Sequence, residues 1–133
     1  MGQFDKVQNN NEGDSKKEES NDVSPAYLEI MDNAEKETLN MIEVYKKDSR
    51  LYERNFNSYK TKLFYNSKEI LEGKAGSGQP GSVKDHLLNN REWISQYKNM
   101  EIFVRAAEIM NPEEGKKLRE QIDIVYKFMN KKG

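Results

Sequence analysis

Residues 25–73, PAYLEIMDNAEKETLNMIEVYKKDSRLYERNFNSYKTKLFYNSKEILEG, contain no proline after Pro25 and no glycine before Gly73. Along them apolar or aromatic side chains recur at steps of three, four or their sum: Tyr27, Met31, Ala34, Met41, Tyr45, Tyr52, Phe56, Tyr59, Leu63 and Ile70. This is the spacing of one helix face, not the alternation of a strand. The fold class that follows is all-α, a three- or four-helix bundle.

Ser24 is a suitable start signal, because its hydroxyl can accept from the first free amides and Pro25 gives up an N–H that would be unpaired there anyway. Gly73 is the matching stop. One continuous helix of 48 residues would reach about 72 Å at 1.5 Å per residue, far beyond an ordinary globular helix. Continuing the three-four steps from Tyr45 puts Asp48 on the buried seam, and Asp48-Ser49 prefer caps to helix interiors. A turn or kink is therefore expected between Lys46 and Arg50, giving helices over about 25–47 and 50–72, with one long rod as the alternative. Leu28, Leu39, Ile42 and Leu71 widen the stripe, as in a helix that touches two neighbours.

Gly73 to Gly81 reads as a connector. Within it Gly76-Ser77-Gly78-Gln79-Pro80-Gly81 has the letters GxGxxG, yet a dinucleotide site needs a strand before those glycines, and here a helix precedes them. A flexible inter-helix turn is the expectation. Ser82 with Asp85 then starts a helix over about 82–110, with Trp93, Tyr97, Met100, Val104 and Ala107 on one stripe and Leu87, Ile94, Phe103, Ala106 and Met110 on an adjoining one. Asn111-Pro112-Glu113-Glu114 opens a last helix over about 112–130, whose core positions are Leu118, Ile122, Val125 and Met129. Gly115 costs that helix about 1 kcal/mol of propensity.

The head differs. Residues 1–24 are polar, with only Phe4, Val7 and Val23 apolar after Met1, and cannot bury enough surface to offset ordering. Residues 1–24 are expected to be disordered and residues 25–131 to form the bundle. In composition the head resembles the polar tether that follows the lipidated cysteine of mature bacterial surface lipoproteins. That resemblance implies an extracellular, membrane-tethered location, with the membrane touched only through an N-terminal lipid anchor. A terminal extension without a role of its own is the other reading.

Charged residues make up 34% of the 133 residues, yet the net charge is -1 with the signs interspersed. A nucleic-acid partner is not expected, because counterion release needs a basic stripe. Absence of cysteine removes disulfides, thiol catalysis and cysteine metal sites. His86 is the only histidine, on the first turn of its helix with no nucleophile recommended by its surroundings. The chain has no HExxH, no Glu-x-x-His pair and no calcium loop, and Glu113 and Glu114 are cap residues rather than a catalytic pair. No enzyme is expected, and no cofactor or metal.

What remains is aromatic surface. Phe64 and Tyr65 lie off the main seam, and Trp93 is either core or a partly exposed anchor, so these three are the candidate partner contacts. The leading functional expectation is a non-catalytic helical module that binds another protein, as the ectodomain of a bacterial surface lipoprotein. The alternative is a cytoplasmic adaptor or regulator, phage- or plasmid-encoded. Homo-oligomerisation is left open.

Overall fold

The computed structural model describes residues 23–131 and is all-α. Six helices lie among the described residues: α1 (Pro25–Met31), α2 (Ala34–Lys47), α3 (Ser49–Leu71), α4 (Val83–Asn89), α5 (Arg91–Met110) and α6 (Pro112–Asn130). The polar head lies outside them, apart from Val23 and Ser24. Ser24 accepts from Tyr27 N–H at 3.1 Å as the cap of α1, and its own N–H donates to Asn130 Oδ1 at 2.9 Å. Both ends of the described chain therefore meet.

The break at Asp48 is present: its carboxylate accepts from Leu51 N–H at 3.0 Å, so the residue that would have been buried on the seam caps α3 instead. Two further breaks correct the expected helix bounds. The helix expected over 25–47 stops after Met31 and restarts at Ala34, because Asn33 takes a left-handed backbone with φ 59°. Asparagine tolerates that conformation better than most residues. Lys98 Nζ donates to the carbonyls of Glu29 and Asp32, so a lysine of α5 satisfies the open end of α1. The helix expected over 82–110 is interrupted at Asn90, whose side chain accepts from Glu92 and Trp93 N–H groups at 2.9 and 3.3 Å.

Helix α5 is the centre: α1, α2, α4 and α6 pack against it, while α3 lies mainly along α6. Of its sequence-predicted stripes, Tyr97, Met100, Phe103, Val104, Ala106 and Ala107 are buried. Phe103 is ringed by Tyr45, Tyr52, Phe56 and Tyr59 at centroid distances of 5.1 to 6.5 Å, which ties α2 and α3 to α5. Leu118, Ile122, Val125 and Met129 form the core face of α6, as their spacing predicts.

Gly115 explains its own cost to helix propensity. A Cβ there would lie 2.5 Å from the Cα and N of Glu108, so only glycine lets α6 approach the backbone of α5 this closely. The same close approach buries Glu101, which the apolar pattern gave no reason to place in the core. Its carboxylate accepts from Arg105 Nε at 2.6 Å, from both terminal nitrogens of Arg119 at 3.1 Å and from Tyr126 O–H at 2.8 Å. Four donors satisfy a buried anion that would otherwise be costly.

The Gly73–Gly81 connector is anchored rather than free. Ala75 is buried and its carbonyl accepts from Lys84 N–H, Ser77 N–H donates to Gln79 Oε1 at 2.8 Å, and Gly81 N–H donates to Asp85 Oδ2 at 3.0 Å. Gly76 has φ 78°, and a Cβ on it would meet Ser82 and Gln79 side chains at 2.7 Å. Its glycines serve turn geometry.

Candidate protein-binding groove

Three of the four residues expected to widen the buried stripe do not. Ile42 is buried, but Leu28, Leu39 and Leu71 are 56%, 62% and 71% exposed. The correction has a local cause: α1 and α2 are separate helices joined at Asn33, so the register of one face does not carry across. On α1 the fully buried pair is Ala26 and Ile30, which leaves Leu28 outside. On α3 the buried face is centred on Leu63, Asn66 and Ser67, and Leu71 lies at the helix end beyond it.

Leu71 borders an open groove of about 1140 Å³ between the start of α1, the end of α3 and the outer side of α6. Its apolar lining is Val23, Tyr27, Ile70, Leu71, Ile124 and Phe128, and its polar rim is Glu120, Asp123 and Lys127 on α6 with Lys131 just past its end. Among the described residues this opening is largely apolar, which is the composition of sites that bind by desolvation.

The groove's floor is tied to the bundle interior. Tyr27 stands edge-on to Tyr126 at 5.1 Å between centroids, and Tyr126 reaches through the bundle to Glu101. Burial, and then the charge of Glu101, push the Tyr126 hydroxyl well above its ordinary value. Burial alone would lower the Arg119 guanidinium, but its hydrogen bonds to Glu108 and Glu101 outweigh that and hold it raised. At the rim, partial desolvation raises the Asp123 carboxyl despite the neighbouring Arg119. Near the groove's end, Lys84 Nζ donates to the Lys131 carbonyl at 2.8 Å and sits 5.1 Å from the Phe128 ring centroid, closing the last turn of α6.

None of the three sequence-predicted contacts lines this groove. Phe64 and Tyr65 are 40% and 62% exposed on the outer side of α3. As consecutive helical residues they point about 100° apart and do not make one patch. Trp93 is half-buried, stacked on His86 at 4.7 Å, with Lys62 Nζ 5.8 Å from its ring centroid. The groove residues were missed because Leu71 and Ile70 were read as core, and Ile124 falls between core positions of α6.

Among the described residues no group of three or more histidine, aspartate or glutamate side chains is placed to hold a metal ion. No described helix is long and apolar enough to cross a membrane. Comparison with known protein families, with curated proteins and with solved structures finds no match.

Proposed function

We propose that this chain is a non-catalytic helical module that binds another protein, and that residues 1–24 tether it at a bacterial surface as the outer part of a lipoprotein. The observation that supports binding is the groove: Leu71, Ile70, Ile124 and Phe128 border one opening, while the polar interior of the bundle is satisfied by its own partners. Exposed apolar surface gathered in a cleft with a charged rim is the pattern of an interaction site. The tether reading rests on composition, and Val23 places the end of the head at the groove wall. Tyr65, exposed elsewhere on α3, offers a second and separate contact.

A photo-crosslinking residue at Leu71, expressed in the native host, is expected to yield a defined protein adduct that Ile124→Asp abolishes. An adduct unaffected by that change would overturn groove binding. Intact mass of the protein from that host tests the tether: a lipidated cysteine ahead of Gln3 is expected, whereas an unprocessed Met1 would favour the cytoplasmic adaptor.

A further inference from the structure

The part of α6 that lines the groove, from Glu120 onward, carries a directional charge pattern. Taking 100° per residue, Glu120, Asp123, Ile124, Lys127 and Lys131 fall within one stripe, opposite the core face made by Leu118, Ile122 and Val125. All four charged members are exposed and all line the groove. Among the four charges that line the groove the acids come first and the bases last, over about 16 Å at 1.5 Å per residue; Lys116, in the same angular sector one turn before Glu120, lies outside the groove.

A helix with acids in one half of its stripe and bases in the other complements an antiparallel copy of itself. From this we infer that the groove's occupant is a second copy of this chain, related by a two-fold axis crossing α6 between Ile124 and Lys127. The inference rests on the groove being a protein-binding site and names the protein. In that arrangement Glu120 of each copy faces Lys131 of the other, and Asp123 faces Lys127. A parallel arrangement would set acid against acid. Leu71 and Ile124 of each copy enter the other's groove, so the contact closes on itself and leaves neither groove open. Apolar burial supplies the affinity, and the exposed ion pairs choose the orientation.

Sedimentation velocity on the full chain, from about 1 to about 500 µM, covers the range in which a modest interface dissociates. A monomer–dimer equilibrium is expected. Lys127→Glu/Lys131→Glu makes every stripe acidic, and Glu120→Lys/Asp123→Lys makes every stripe basic. Each variant alone is expected to dimerise at least about tenfold more weakly, because four attractions become repulsions. Mixed in equal amounts, the two variants are expected to form a heterodimer at least as tight as the wild-type dimer. Circular dichroism confirms that both variants fold before they are mixed. A wild-type chain that stays monomeric throughout, or a mixture that stays monomeric, overturns the second-copy inference. The Leu71 crosslink then decides separately whether the groove binds a different protein.

Discussion

Helix α6 has two faces that solve the same problem in opposite ways. Inward, Gly115 lets α5 come close enough to bury Glu101, and the desolvated carboxylate is met by Arg105, Arg119 and Tyr126. Outward, Ile124 and Phe128 stand in an open cleft beside Leu71, with lysines and acids only at the rim. The inner face holds polar groups with their partners supplied from within the chain. The outer face holds half-buried apolar groups that border an open cleft. Stability and the proposed binding would therefore lie on opposite sides of one helix, and changes to one should leave the other largely intact.

Alkaline pH gives the broadest way to test that division. Burial raises the hydroxyls of Tyr45, Tyr52, Tyr59, Tyr97 and Tyr126 above 10, aided at Tyr52 by its bond to Glu114 and at Tyr126 by Glu101. The folded state then holds protons that the unfolded chain releases near 10, so this stabilisation is full below that pH and is lost as pH rises toward the folded values. The tyrosinate absorbance of these five and the loss of helical circular dichroism are expected to rise together in one cooperative step above pH 10. Titration of all seven tyrosines within an intact helical spectrum would break the picture of a protected interior.

Single substitutions sharpen the comparison. Glu101→Ala leaves Arg119 and Arg105 facing an emptied site and is expected to cost about 3 kcal/mol by urea denaturation, somewhat less than a fully buried pair because both arginines are partly exposed. Gly115→Ala is expected to cost about 2 kcal/mol, the strain of a Cβ against the Glu108 backbone outweighing the roughly 1 kcal/mol gain in helix propensity. Stability equal to or above wild type in that variant would show that α6 can shift without loss. Leu71→Asp is expected to change stability by less than about 0.5 kcal/mol, because the side chain is 71% exposed, while abolishing groove binding.

Much of the architecture was legible because it is local. Ser24, Asp48, Ser82 and Asn111 all act as amino caps, and the core positions of α6 follow their spacing. The breaks at Asn33 and Asn90 were less legible because the apolar period continues plausibly across both. The end of α1 is also completed by Lys98, 69 residues from Glu29 in sequence. Buried Glu101 could not be read either: its charge looks solvated until Gly115 brings α6 within reach. The groove was invisible for the converse reason. An apolar residue at a helix end reads as core in sequence, and only the packing shows that nothing among the described residues covers Leu71.

The hydrogen bond from Ser24 to Asn130 joins positions 106 residues apart, and α1 is held to α5 through Glu29 and Arg91, 62 residues apart. During synthesis α1 leaves the ribosome before the helices it docks on, and is thus among the last of the six to find its place. Until α4, α5 and α6 emerge, α1 lacks the surfaces it packs against. Closure of such long-range contacts is slow relative to helix formation, and the waiting chain exposes apolar surface meanwhile. The order of manufacture, as much as the final fold, sets how long that surface must be kept from other chains.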